Sequence, residues 1–244
     1  MRTRRNERQM RILGVGAHPD DLEILCAGTL AKYAQRGDQV VMCHVTKGEK
    51  GHFHIPSEEL AKTRKKEARD AAQMIGAEVI SMGFLDGEVL ADDLETRLRF
   101  VDLIRQAKPD VILSHSPNDI CHSDHAAVSK LVLDASFHAS VPYAKTEHAH
   151  HTKVPVIYYM ETMGGLGFSP SEYVDISDTI ITKMKMLSQH KSQLKWLKEH
   201  DNLAVLDFME TTARFRGYQC GVRYAEGFNP CLVWPRVVPQ RLLP

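Results

Sequence analysis

Short apolar runs alternate with amphipathic segments through the N-terminal part of the chain. The runs have the length and composition of buried strands, and the segments carry apolar side chains at helical spacing. The predicted strands cover residues 12–17, 40–45, 79–82 and 111–114. The predicted helices cover residues 21–36, 57 to before Gly76, 94–107 and 125–140. This alternation predicts an α/β protein with a Rossmann-like, three-layer fold and a mostly parallel sheet.

The pattern weakens beyond Pro142 but still contains alternating elements. Strands are predicted at 154–160 and 173–176, helices at 179–196 and 203–215, and an irregular tail from 227. The expected organisation is one domain over residues 1–244. Its Rossmann-like core covers 1–142, and a C-terminal α/β extension covers 143–244.

Polar motifs follow the first and the fourth predicted strands. Residues 18–21 read His-Pro-Asp-Asp, and residues 115–125 contain three histidines and two aspartates. If the first four strands lie in the order 3-2-1-4, the chain reverses direction between strands one and four, and a crevice opens there. We therefore expect the two motifs to meet around one metal ion.

The residue types in these motifs indicate a catalytic zinc centre. His18, Asp21 and His125 are the predicted ligands. Three nitrogen and oxygen ligands with a fourth position left open are typical of catalytic zinc. Such a metal lowers the pKa of its bound water to about 7 and makes hydroxide available for attack on an amide. Asp20 is the predicted general base that takes the proton of this water.

His122 is predicted to face the base from the opposite side of the site. As an imidazolium it would stabilise the oxyanion of a tetrahedral intermediate. Either Asp124 or Asp119 could orient its ring. Each motif alone also has an ordinary explanation, since Asp20 and Asp21 could simply cap a helix. Their placement at the two sides of one predicted crevice favours the metal hypothesis.

Composition narrows the class of protein. The 244 residues carry a formal net charge of +0, so no overall field attracts nucleic acid or an acidic membrane. No apolar segment approaches the roughly 20 residues of a membrane-spanning helix. The arginine-rich N-terminus lacks the long apolar stretch of a secretory signal and is expected to be a solvated tail. Five cysteines without a Cys-x-x-Cys pair suit reduced thiols and a cytoplasmic protein.

The motifs resemble those of the LmbE-like, or PIG-L, family of N-acetylglucosaminyl deacetylases. The matching segments are 17–23, 28–30, 46–51, 64–68, 86–87 and 115–125. The resemblance implies hydrolysis of an N-acetyl group on a GlcNAc-containing small molecule, with Zn²⁺ or another divalent metal such as Fe²⁺. It supports the roles given above to His18, Asp20, Asp21, His122 and His125. It also implies that Arg64 and Asp86 contact the substrate, and that the chain forms trimers or hexamers.

Two other functions stay open at this point. The first is a metal-retaining sugar-binding or regulatory protein without turnover, although a binding protein has no need of Asp20. The second is a dinucleotide-binding oxidoreductase, suggested by Gly14-x-Gly16. The third glycine of that fingerprint is absent, and the carboxylates of Asp20 and Asp21 would repel a pyrophosphate. The sequence leaves the identity of the sugar conjugate open.

Overall fold

The computed structural model of the protein describes residues 9–244. The N-terminal arginines at positions 2, 4, 5 and 8, predicted to be part of a solvated tail, lie outside the described residues. The strands are β1 (Arg11–Gly16), β2 (Gln39–Thr46), β3 (Glu78–Phe84), β4 (Val111–Ser114), β5 (Val156–Met160), β6 (Glu172–Asp175) and β7 (Ala225–Pro230). The helices are α1 (Asp21–Leu25), α2 (Ala27–Gln35), α3 (Ser57–Gln73), α4 (Leu94–Ala107), α5 (Ser123–His138), α6 (Ile180–Leu187), α7 (Lys191–His200) and α8 (Val205–Cys220).

The seven strands form one sheet in the order β3-β2-β1-β4-β5-β7-β6. Strands β1 to β5 pair in parallel, and β7 is antiparallel to both of its neighbours. The predicted order 3-2-1-4 and the mostly parallel α/β class are confirmed. Because β1 has β2 on one side and β4 on the other, the switch point lies between β1 and β4.

Alternate residues of the central strands point into two separate cores. On β1, Ile12 belongs to one apolar cluster and Leu13 to the other, and both are fully buried. Helices α4 and α5 supply Phe100 and Leu131 to the core that contains Leu13. The remaining helices cover the opposite face, where Leu30 of α2 and Met209 of α8 are buried. The sheet is therefore the middle of three layers.

Two predicted helices are broken in the structure. The helix predicted over 21–36 is interrupted at Cys26, whose φ of −146° is not helical. The break leaves the amides of Gly28 and Thr29 without partners in the helix, and they donate to the Glu226 carboxylate at 3.0 and 2.7 Å. The helix predicted over 179–196 is interrupted before His190, whose buried ring lies beside Glu23. Both breaks depend on partners that are distant in sequence.

The tail from 227 was predicted to be irregular, and this was wrong for its first part. Residues Ala225–Pro230 form β7, which pairs with β5 and β6. The segment Ala-Glu-Gly-Phe-Asn-Pro lacks the apolar alternation that predicts a strand, since the charged residue Glu226 occupies a buried position. Its carboxylate contacts the Lys183 ammonium, which is also buried. This ion pair joins β7 to α6 and, through the two amides, to α2.

None of the helices within residues 9–244 has both the length and the apolar character needed to cross a lipid bilayer.

Replacing Lys183 with methionine should destabilise the protein strongly. The change leaves the Glu226 carboxylate buried without a cation, and breaking a buried pair typically costs about 3–5 kcal/mol. The matched control is Lys32→Met, because Lys32 pairs with the exposed Asp178. An exposed pair contributes at most about 1 kcal/mol. Urea unfolding measures both losses, and equal losses would contradict the role given to the buried pair.

Candidate functional site

The two polar motifs meet at the carboxyl edge of β1 and β4. Residues Val15 and Ser114 pair across these strands, so the segments that follow them leave the sheet side by side. The Ala17 amide donates to His115 Nε2 at 3.0 Å and joins the two segments directly. The predicted juxtaposition of residues almost a hundred positions apart is therefore present.

The turn between β1 and α1 places two consecutive aspartates in different surroundings. Asp21 is the first residue of α1, and its Oδ2 accepts the His18 amide at 2.7 Å. Asp20 adopts a φ of 130°, which is rare for a residue with a side chain. A Cβ added at Gly16 would lie 3.1 Å from that of Asp21, so the small residue lets the turn pack closely.

His18, Asp21 and His125 form a compact cluster. The two Asp21 oxygens face different rings: Oδ2 lies 3.5 Å from His18 Nδ1, and Oδ1 lies 3.4 Å from His125 Nε2. One ligand atom from each of the three residues lies within 4.8 Å of the others. All three residues are at most 9% exposed. Three nitrogen and oxygen donors that converge in this way can hold one divalent cation.

Each histidine of the cluster is held from behind by a carboxylate. His18 Nε2 lies 3.2 Å from Asp124 Oδ2, and His125 Nδ1 lies 3.0 Å from Asp119 Oδ2. Such carboxylates fix the tautomer and orientation of metal-ligating histidines and raise their basicity. The nitrogens that remain are the ones that face Asp21. This arrangement of partners, in addition to the donor types, fits a metal centre.

The electrostatics of the cluster favour positive charge. Burial lowers the pKa of His125, but Asp21 and Asp119 outweigh it and raise that pKa to about 9. Burial also opposes ionisation of His18, whose pKa is nevertheless raised well above its usual value by Asp124 and Asp21. Carboxylates that stabilise a buried imidazolium would equally stabilise a bound metal cation.

Asp20 lies beside the cluster and contacts a buried arginine. Its Oδ1 accepts a hydrogen bond from Arg64 Nη2 at 3.2 Å. Burial raises the Asp20 pKa to about 6; Arg64 opposes this shift, and Asp21 adds to it. Arg64 is only 2% exposed, and its guanidinium also donates to the carbonyls of Pro19 and Gly48. Contact between Arg64 and a substrate stays a prediction.

His122 lies at the edge of the cluster, with its ring centroid 4.5 Å from that of His18. Its Nδ1 accepts the Asp124 amide at 3.2 Å, so a neutral ring carries its proton on Nε2. Burial and the neighbouring His18 lower the His122 pKa. Of the two carboxylates considered for orienting this ring, Asp124 is the neighbour, whereas Asp119 contacts His125.

Asp86 follows β3 and closes another side of the cluster. Its Oδ1 lies 3.2 Å from His18 Nε2, and its amide lies 3.2 Å from both Glu49 oxygens. The side chain is 14% exposed, so part of it reaches solvent. Asp124 accepts the Gly87 amide at 2.8 Å, which ties this turn to the start of α5. The structure thus brings Asp86 next to the predicted metal ligands.

Sequence reasoning placed His115 in the second motif without giving it a role, and it missed a group of three buried residues near the site. His115 stacks on His125 with ring centroids 4.0 Å apart, and its Nε2 lies 3.1 Å from Asp21. Its position directly after β4 was the available signal. Beneath the turn lie Glu23, His44 and His190, all buried. No sequence signal joined these three, because they belong to α1, β2 and the break before α7.

Fold and site together define a three-layer α/β protein with a two-histidine, one-aspartate centre at the switch point of its sheet. A search against family profiles matches residues 13–136 to PIG-L, described as GlcNAc-PI de-N-acetylase. This match covers more than half of the chain, and the chain belongs to the PIG-L family.

Relatives share the fold over most of its length. Diacetylchitobiose deacetylase of Thermococcus kodakarensis is 28% identical over 90% of this chain and 82% of its own. The structure of the N,N'-diacetylchitobiose deacetylase from Pyrococcus horikoshii superposes with a TM-score of 0.79, at 26% identity, over 90% of this chain and 83% of that one. A 4-carboxy-2-hydroxymuconate hydratase from Pseudomonas putida has a TM-score of 0.80 at 24% identity and covers 95% and 100% of the two chains. This last likeness shows the fold alone.

Replacing Asp119 with alanine should weaken metal binding. The change removes the carboxylate that holds His125 Nδ1, and losing such a partner typically costs about 10- to 100-fold in metal affinity. Competition with a chromogenic chelator measures the affinity for added Zn²⁺. The control is Asp178→Ala, which removes an exposed carboxylate that pairs with Lys32, outside the cluster. Equal affinity in both variants and the wild type would argue against a metal at this cluster.

Proposed function

We propose that this protein is a Zn²⁺-dependent deacetylase that hydrolyses the N-acetyl group of a GlcNAc-containing small molecule. The observation that carries the proposal is the convergence of His18, Asp21 and His125, with the separate carboxylate of Asp20 beside them. Membership of the PIG-L family supports the same reaction.

His18, Asp21 and His125 would hold the metal, with Asp124 and Asp119 fixing the two rings. A bound Zn²⁺ (or Fe²⁺) supplies Lewis acidity, which polarises an amide carbonyl and lowers the pKa of water. Three protein ligands leave room for water and substrate in such a site. The carboxylates behind the rings keep the ligand nitrogens in place without help from the substrate.

Asp20 accepts a proton from the attacking water and transfers it to the leaving amine. The backbone conformation at Asp20 sends its carboxylate toward Arg64, while the Asp21 carboxylate turns toward the histidines. Asp20 therefore keeps an oxygen for accepting a proton from the attacking water. The same proton then passes to the amine that leaves as the amide C–N bond breaks. The acetyl group retains the hydroxyl of the water and departs as acetic acid, which ionises to acetate in solution.

His122 would stabilise the negative charge that develops on the carbonyl oxygen. Because its Nδ1 accepts the Asp124 amide, its Nε2–H is directed away from that contact and acts as a fixed donor. This arrangement favours a neutral donor over the imidazolium expected from the sequence. The backbone amide of Asp124 binds His122, while its carboxylate contacts His18.

Asp86 would accept a hydrogen bond from a hydroxyl group of the sugar. Its carboxylate borders the cluster, and Glu49 and Asp124 hold the turn that carries it. The polar groups around Asp86 are of the kind that bind sugar hydroxyls. The deacetylase relatives named for diacetylchitobiose support a substrate of this class.

The setting and assembly of the enzyme are also part of the proposal. The five cysteines are free thiols, which supports a reducing, cytoplasmic environment. The C-terminal segment exposes Leu232, Trp234 and Val237 by 60% or more, which supports contacts between copies in a homo-oligomer such as a trimer or hexamer.

Acetate release from a panel of GlcNAc conjugates tests the reaction. Wild-type protein should release acetate, and Asp20→Asn should reduce kcat by about 10²- to 10⁴-fold, because it removes the base. Metal content should stay at the wild-type level, since Asp20 is outside the ligand set. Asp70→Asn on the exposed face of α3 is the control and should keep wild-type activity.

Chelation provides a second test of the same proposal. Incubation with a strong chelator should abolish acetate release, and added Zn²⁺ should restore it. Tight sugar binding without turnover would instead support the sugar-binding alternative. Hydration of a carbon–carbon double bond without any acetate release would show that the chain performs different chemistry on the same fold.

A further inference from the structure

Asp20 is held in an unfavourable backbone conformation at the proposed site. Its φ of 130° and ψ of −24° lie in a region that residues with side chains rarely adopt. Such a conformation persists only where the surroundings enforce it. The Asp20 carbonyl accepts the Ile24 amide at 2.9 Å, which attaches the turn to α1 on one side. The other side is held by the Arg64 side chain.

Arg64 connects three parts of the site through two nitrogens. Nη2 donates to the Pro19 carbonyl at 2.6 Å and to Asp20 Oδ1 at 3.2 Å. Nη1 donates to the Gly48 carbonyl at 2.9 Å. The guanidinium therefore bonds the backbone immediately before Asp20 as well as its carboxylate. These contacts fix both the position of the turn and the direction of the side chain.

Gly48 leaves free the space that the Arg64 guanidinium occupies. It has a φ of 62°, and an added Cβ would lie 2.2 Å from Arg64 Nη1. A larger residue would displace the guanidinium from Asp20. Glu67, one turn later on α3, accepts the amide and hydroxyl of Ser192 at 2.9 and 2.6 Å. The helix that carries Arg64 is thus itself fixed to α7.

We propose that Arg64 is a positioning residue that holds Asp20 in its working conformation. Gly48 leaves space for the Arg64 guanidinium and accepts a hydrogen bond from it. The inference rests on the proposed function in one respect, since it takes Asp20 as the base. It assigns Arg64 a role different from the substrate contact implied by family resemblance. The side chain is 3% exposed and is surrounded by protein carbonyls and the Asp20 carboxylate, so little of it faces the cleft.

Lysine cannot perform this task. An arginine fork presents several donors in a fixed plane, whereas the lysine ammonium is a compact point charge. In Arg64→Lys one ammonium would have to serve two carbonyls and a carboxylate that the fork now bridges. The charge beside Asp20 would be kept, and the geometry would be lost.

The kinetic test separates positioning from substrate contact. Arg64→Lys should lower kcat by about 100-fold, as expected for a misplaced catalytic group. KM should stay within about twofold, because no substrate contact is removed. Gly48→Ala should show the same pattern with Arg64 intact. A large rise in KM with unchanged kcat in Arg64→Lys would overturn the proposal in favour of substrate contact.

Hydrogen exchange gives a readout that does not need turnover. Amides of the 18–25 segment should exchange faster in Arg64→Lys and Gly48→Ala than in the wild type, because the turn is released. The matched control is Arg105→Lys. Arg105 is also 2% exposed and bonds the carbonyls of Ala139 and Val141, on the face of the sheet that carries α4 and α5. This control should leave the exchange of 18–25 and kcat at wild-type values.

The two readouts distinguish the failures of the two proposals. If the wild type hydrolyses none of the amides, the proposed function fails, and the exchange rates still decide whether Arg64 holds the turn. If Arg64→Lys and Gly48→Ala leave the exchange of 18–25 unchanged, the positioning role is wrong, whatever the activity. Equal acceleration of that segment in Arg105→Lys would also overturn it, because the effect would then be general loosening.

Discussion

The Asp21 carboxylate is the contact on which the site depends. Its two oxygens face three histidines: His18 from its own turn, His115 from the end of β4 and His125 from α5. These segments are adjacent only because β1 pairs with β4 while β2 lies on the other side of β1. A different strand order would leave Asp21 with His18 alone. The sheet topology is therefore the physical cause of the cluster.

The carboxylates around the histidines determine which ring nitrogens face the centre of the cluster. Each ring has one nitrogen toward Asp21 and one toward an outer carboxylate, Asp124 or Asp119. The outer carboxylates are neutralised in part by backbone donors, since Asp124 also accepts the amides of Gly87 and Val89. The negative charge that backbone donors do not neutralise is therefore greatest at the Asp21 carboxylate, in the centre of the cluster. A single cation bound there would be stabilised by this charge.

The strand order and the two motifs could be predicted because apolar periodicity is local and the motifs directly follow strands. The helix breaks could not, because they depend on distant partners. The break at Cys26 frees amides for Glu226, and the break before His190 places its ring 3.3 Å from Glu23. Both carboxylates are buried, and composition gave no sign of it. Local propensity is overridden where a tertiary partner satisfies the interrupted backbone.

The directions in which the side chains turn were harder to predict than their proximity. Two adjacent carboxylates have the same chemistry in the sequence, and only the backbone at Asp20 separates them. Arg64 illustrates the same limit, since a helical arginine is normally solvated but this one is enclosed by Pro19 and Gly48. These placements result from the close approach of the segments that carry Pro19, Gly48 and Arg64. No local sequence pattern predicts that approach.

The fold itself does not decide the reaction. A hydratase and deacetylases both superpose on this chain, so the sheet and helices are compatible with more than one chemistry. Function has to be argued from the placement of particular groups in the site. In this protein one turn directs the Asp21 carboxylate toward the histidines and the Asp20 carboxylate toward Arg64. The unfavourable φ of Asp20 is thus the feature that turns the two adjacent carboxylates in different directions.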